Sequence, residues 1–230
     1  MKQFLIIFFI YPLVLNAKIY TFSGGENNVV HIIASKVLTK AYKKADLEIK
    51  PFFTSLTRSL ELSNTGEVDG EFARIKKIHT LYPNLLQIPV VITSVEAIAY
   101  SKNKNLNIKS WNDLEGHNFT IVKGAKFIEK ATKNLKKSHV DSLKEAFNRL
   151  NKDKTEIIVI PKKAAIRLIL KNEYRSIRPI SNALQTLDLY HFVHKKNAHL
   201  IPVITPILEQ MSNSGEINYI SNAYLRSITH

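Results

Sequence analysis

Gly66-Glu67-Val68-Asp69-Gly70-Glu71-Phe72-Ala73-Arg74 is the stretch from which the rest of the chain can be ordered. Val68, Gly70 and Phe72 alternate with Glu67, Asp69 and Glu71, which predicts a short strand with one apolar face. Gly66 stands where a left-handed residue closes a preceding helix. Arg74 then emerges at the carboxyl end of the strand, the end at which open α/β sheets bind ligands. The three acids read as a solvated face neutralised by neighbouring Lys or Arg. No histidine is spaced with them as a metal site needs.

Upstream, residues 18–22 alternate as a strand and run into the turn-forming Ser23-Gly24-Gly25-Glu26-Asn27. Val30, Ile33, Val37 and Ala41 then follow a helical period, with Asn27 or Asn28 as N-cap. The glycines match neither the dinucleotide nor the P-loop spacing. Residues 46–52 predict a second strand, and Thr54 or Ser55 caps a helix through Asn64. Strand–helix–strand–helix–strand implies a mainly parallel sheet with right-handed crossovers.

Downstream, residues 75–82 predict a short helix ended by Pro83, and residues 85–90 a strand. Residues 91–101 are apolar and extended, then give way to the polar run 102–109, a composition change expected where a chain passes between lobes. After a capped turn at 110–116, strand 119–122, Lys123-Gly124-Ala125 and a helix over 126–137 repeat the opening arrangement. Two similar lobes facing one cleft are expected. The remainder predicts a helix at 140–150, a strand at 156–160, a helix from Pro161 to about 171, an extended segment at 174–180 and a return strand at 187–194. A last helical stripe begins at Leu200, with Pro206 kinking it or making it restart at Thr205. Gly215 ends that helix, and residues 217–226 form another.

At the N-terminus, Met1-Lys2, the apolar run 4–15 and Ala17 have the order of a secretory signal peptide, the run being shorter than the roughly 20 residues that span a bilayer. Cleavage after Ala17 and a periplasmic location are expected; an uncleaved anchor or a buried first strand is the alternative. The chain has no cysteine, so no disulfide, thiolate metal site, cysteine nucleophile or lipid-anchoring thiol. Its formal charge of +14 favours anionic partners. Nucleic acid is not expected among them, because the lysines are scattered without an aromatic stacking platform.

The residue order resembles the bacterial extracellular solute-binding proteins of family 3, periplasmic substrate-binding components and sensor-like relatives. The matching stretches are Gly66-Glu67-Val68-Asp69-Gly70-Glu71, Ser110-Trp111-Asn112-Asp113-Leu114-Glu115-Gly116, and residues 119–125. Leu189-Tyr190-His191-Phe192-Val193-His194-Lys195-Lys196 and Met211-Ser212-Asn213-Ser214-Gly215-Glu216-Ile217 complete the set. The resemblance implies an α/β, periplasmic binding protein-like type II fold, with lobe one from residues 18–94 and 190–230, lobe two from 95–189, and two hinge segments. It implies a monomeric, non-enzymatic protein without metal or cofactor, holding a small polar ligand between its lobes. That ligand would be delivered to an ABC permease or read by a membrane sensor kinase. Ser23, Gly24, Phe53, Arg58, Glu71, Arg74, Thr93, Lys123, Gly124, Ala125 and Tyr190 are the expected contacts.

Relatives that bind α-amino acids usually carry Thr-x-x-Arg about ten residues after the third-strand Asp and an acid at the end of the strand corresponding to 157–160. This chain has Arg74 close behind Asp69 and Pro161-Lys162 at the second place, so an anionic or uncharged ligand, or no transported ligand at all, is expected.

Arg74 and Arg58 are suited to grip a carboxylate or phosphate, since a guanidinium donates two parallel hydrogen bonds to such groups. Either could instead be a surface arginine paired with Glu61, Glu67 or Glu71. His191 and His194, three apart on a strand, leave opposite faces and cannot easily share a metal. Ser23 lies outside a Gly-x-Ser-x-Gly elbow, and Trp111 reads as a packing residue. Two other readings stay open: a hydrolase or transferase using Glu71 and a histidine, and a basic module that docks on anionic envelope polymers.

Overall fold

The computed structural model describes residues 18–170 and 172–229, so the expected signal peptide lies outside the described residues. Nine strands form one sheet in the order β2-β1-β3-β9-β4-β7-β5-β6, with β8 also on β4. The first run is β1 (Ile19–Gly25), α1 (Val29–Lys44), β2 (Glu48–Thr54), α2 (Leu56–Thr65) and β3 (Gly70–Ile75). β1 pairs in parallel with β2 and β3, as the crossover pattern predicted. Asn28 caps α1 by accepting from the Val30 and His31 amides, Ser55 caps α2, and Gly66 at φ 82° closes it.

The long apolar segment is a single strand, β4 (Leu85–Ser101), which runs antiparallel to β9 (Gln185–His194) through both lobes. Their register shifts between Gln87 and Val91 and again before Thr93. Pro89, which has no N–H for the ladder, sits inside the first shift.

The second lobe contains β5 (Phe119–Val122), α3 (Lys126–Ala131), β6 (Ser138–Val140), α4 (Leu143–Asn151), β7 (Ile157–Pro161), α5 (Lys162–Ile169) and β8 (Arg178–Pro179). β5 lies parallel between β6 and β7, and β7 is antiparallel to β4. The chain closes with α6 (Leu200–Asn213) and α7 (Glu216–Ser227) on the first lobe.

One buried apolar cluster joins Phe22, Ile33, Leu38, Phe72 and Ile92 to Leu200, Leu208 and Met211. Two others, around Phe147 with Ile158 and around Phe119 with Val159, draw only on the middle of the chain. Burial of this area is the main favourable term in folding.

Several local expectations are corrected. α3 stops at Ala131, where the expected helix continued to 137; the Lys137 ammonium folds back onto the carbonyls of Thr132 and Leu135, and β6 follows at once. α6 does not restart at Thr205 but runs through Pro206, from Leu200 to Asn213, without a residue-206 N–H to donate to the residue-202 carbonyl. The short helix expected over 75–82 is a 3-10 helix at Lys76–Thr80. Of the expected solvated acid face only Glu67 is exposed, whereas Asp69 and Glu71 are buried, each of the three beside a Lys or Arg as expected. β3 is central, packed by α1 and α2, and every residue from Gly70 to Ala73 is buried.

Candidate functional site

Glu71 is fully buried on the α2 side of β3, where that helix presents the small hydroxyls of Ser59 and Ser63. One carboxylate oxygen, Oε2, accepts from Ser59 Oγ, from Ser23 Oγ at 3.2 Å and from Ser63 Oγ at 3.4 Å. The other, Oε1, accepts from Arg74 Nε at 3.0 Å and pairs with Arg74 Nη2 at 2.9 Å. Arg74 Nη2 also donates to the Leu56 carbonyl at 2.8 Å. Burial pushes the Glu71 carboxyl up, while the Arg74 charge and the hydroxyls of Ser59 and Ser23 pull it back. The serine cradle is legible only as a polar spacing, Ser59 and Ser63 one helical turn apart on the face turned toward Ser23.

Arg74 thus spends its bidentate capacity on an internal carboxylate. Arg58 is half-exposed in the first turn of α2 and pairs with Glu61 and Glu67, each at 3.6 Å. The first arginine joins the cleft cluster; the second does not.

Asp69 closes the base of the lobe, accepting from the Thr21 amide at 2.8 Å and from Asn197 Nδ2 at 2.9 Å. Burial opposes its ionisation, yet these bonds and the charges of Lys196 and Lys18 hold its carboxyl below the ordinary range.

Strand register brings the remaining lobe-one candidates together. Ser23 pairs with Glu71, Gly24 with Phe53, and Tyr190 with Arg74 on one side and Val91 on the other. Phe53 stacks on Phe72 with ring centres 5.6 Å apart and leaves about a third of itself exposed. Gly24 is required by packing, since a Cβ there would lie 2.7 Å from His31 Nδ1 and 3.0 Å from the Phe72 ring.

The two glycine loops satisfy their own amides. In the first, the Gly25 N–H donates to His31 Nδ1 at 3.0 Å; in the second, the Gly124 N–H donates to Glu129 Oε1 at 2.7 Å. Gly124 takes φ 87°, Ala125 precedes α3 without a side-chain cap, and Lys123 pairs with Asp141 at 2.7 Å.

His31 Nδ1 lies 3.7 Å from Glu71 Oε1 but already accepts the Gly25 N–H, so no proton stands between the two groups. Burial first, and the Arg74 charge second, lower its pKa to about 3. His191 is also buried, its Nδ1–H on the Glu71 carbonyl at 2.8 Å and its Nε2 facing the Tyr42 hydroxyl at 2.9 Å. Desolvation lowers its pKa to about 4. Neither imidazole forms an acid–base dyad with Glu71. Among the described residues no cluster of three His, Asp or Glu could hold a metal, and no helix is long and apolar enough to cross a membrane.

One residue here was absent from the expected set. Lys163, in the first turn of α5, donates to Thr93 Oγ1 and to the Ser94 carbonyl, both at 2.9 Å. It links the second lobe to β4 beside the register shift. No sequence motif marks it, because the pairing depends on contacts about seventy residues apart.

No protein-family model matches the chain. An uncharacterized protein of Shewanella oneidensis is 23% identical over 166 residues, 69% of this chain; the chain spans 62% of that relative's length. Among solved structures, the GluR0 ligand-binding core in complex with L-glutamate is similar at TM-score 0.71 and 15% identity, covering 91% of this chain and 98% of that one. A histidine kinase sensor domain with similarity to periplasmic binding proteins gives 0.68 and 11%, over 91% and 96%. The amino-acid ABC transporter substrate-binding protein AbpA from Streptococcus pneumoniae, bound to L-arginine, gives 0.63 and 12%, over 86% and 85%. The fold is therefore two-lobed and periplasmic binding protein-like.

Proposed function

We propose that this chain is an exported, monomeric solute-binding protein that captures a small polar ligand between its lobes and closes about the β4 and β9 crossings. The observation that carries the reading is the β4/β9 pair joining the hydrophobic core of the first lobe to the two cores of the second. Such an architecture lets rigid lobes move about a few residues. The structural neighbours include a sensor domain and a transporter's substrate-binding protein, in keeping with delivery to a permease or contact with a sensor kinase.

In this reading lobe one is 18–94 with 190–230, lobe two is 95–189, and residues 1–17 are a signal peptide. Gly24, Phe53, Thr93 and Tyr190 face the ligand from lobe one, with Ser23 buried beneath them in the Glu71 cradle; Lys123, Gly124 and Ala125 do so from lobe two. Glu71 acts beneath the surface by fixing Arg74, whose remaining edge is its contribution. The ligand is small, polar, and anionic or uncharged.

Native mass spectrometry of the protein purified from its own host's envelope tests this, with the co-purified solute then added back during small-angle scattering. A saturable, one-to-one solute that reduces the radius of gyration is expected. An unchanged radius at saturation would refute capture by closure.

A further inference from the structure

Several cations of the two lobes are matched by acids, while Lys137 and Lys163 bond only neutral oxygens. Arg74 is matched by Glu71, Arg58 by Glu61 and Glu67, Lys123 by Asp141, Lys126 by Glu129, and Lys162 by Glu96. Lys163 has only neutral oxygens within hydrogen-bond distance, those of Thr93 and Ser94, among the described residues. It also lines a cavity of about 200 Å³ at the hinge, whose wall includes Thr93, Ser94, Ser212, Asn218 and Ser221. Two of the three ammonium protons are committed, which aims the third. Thr93 Oγ1 accepts from Lys163, so its own proton is available to a ligand. A half-buried ammonium in neutral company favours an anion, because charged partners give the shortest and strongest hydrogen bonds. Two carboxylates oppose it: Asp188 lines the same cavity, and Glu96 is near but already bound to Lys162 at 3.1 Å.

We infer that Lys163, with the Thr93 hydroxyl, forms an oxyanion-binding subsite at the hinge, taking a carboxylate or an inorganic oxyanion, and that Arg74 and Arg58 do not serve this purpose. This inference rests on the solute-binding reading. It assigns the anion to the residue that ties lobe two to β4, so binding there bears on closure.

The test is calorimetry and thermal melting at constant ionic strength, with acetate and succinate in one arm, phosphate and sulfate in the other, and chloride as reference. Saturable binding in one arm names the source. Lys163→Met is expected to weaken that binding at least about tenfold, the loss of one charge-assisted hydrogen bond. Asp188→Asn is expected to strengthen it several-fold by removing the facing carboxylate. Should Lys163→Met not fold, Thr93→Val keeps the cation, and a several-fold loss is expected there. No oxyanion binding to the wild type, wild-type affinity in both Lys163→Met and Thr93→Val, or weaker binding in Asp188→Asn would overturn the subsite. Oxyanion binding without compaction would remove the closure reading and leave the subsite standing. Compaction on an uncharged solute, at wild-type affinity in Lys163→Met, would do the reverse.

Discussion

Arg74 is a largely buried cation and Lys163 a half-buried one, each with two or more hydrogen bonds, yet their partners differ in one respect. Arg74 faces a carboxylate that three serines hold in place, and Lys163 faces a hydroxyl and a carbonyl. The first pair is closed on itself. The second has no carboxylate within hydrogen-bond distance and borders a cavity that Asp188 also lines. Position at the end of a strand therefore leaves Arg74 only the edge that Glu71 does not hold; the charge count around a cation decides how much of it is free.

The comparison can be broken most sharply at Glu71. Glu71→Ala leaves Arg74 without its partner in a buried site and is expected to cost about 3–5 kcal/mol, measured by urea unfolding. A double replacement, Glu71→Met with Arg74→Met, should recover much of that loss, because neither charge then remains alone. Equal or greater loss in the double variant would show that the pair stabilises the lobe beyond cancelling its own desolvation.

Ser59→Ala removes one of the three hydroxyls on Oε2 and should cost about 1–3 kcal/mol. A silent Ser59→Ala would mean that the remaining serines suffice.

Acid adds a third lever on the same lobe. His31 and His191 stay neutral in the fold, with pKa values of about 3 and about 4. In the unfolded chain histidine titrates near about 6.5. Below that value the unfolded state binds more protons, so the stabilisation present above it is lost progressively toward the folded-state pKa values. Glu71, shifted upward, contributes the opposite slope where carboxylates titrate. Melting temperature should fall as pH drops below about 6.5, and His191→Gln, which cannot titrate, should flatten part of that fall.

Lys163→Met should have the smallest effect on folding, roughly 1 kcal/mol or less, since an ammonium bound only to neutral oxygens has no counter-charge to strand. A cost near that of Glu71→Ala would place Lys163 with the structural cations.

Much of the first lobe was legible beforehand because its signals are local. Asn28, Ser55 and Gly66 mark helix ends where they stand, and apolar periodicity sets α1 against the sheet. The burial of Glu71 was not legible: alternation assigns it to a face, but only the packing of α2 makes that face interior. Its partners, Ser23, Ser59 and Ser63, are too small and too common to announce a cradle. Lys163 lay further out of reach, since its role depends on β7 delivering α5 beside Thr93 and on every other nearby cation being matched.

The β4/β9 ribbon has a mechanical consequence. Seventeen residues of extended chain reach at most about 55 Å at roughly 3.3 Å per residue, enough to act as a torsion bar on which both lobes are mounted. Its ladder is interrupted around Pro89, where the register slips. The interruption lies within the first lobe's core, beside buried Ile88 and Ile92, so the regularly paired stretch from Thr93 to Ala97 is what passes between the lobes. Amide exchange should record the interruption as a short, fast window at residues 88–93 between two slow stretches of the same strand.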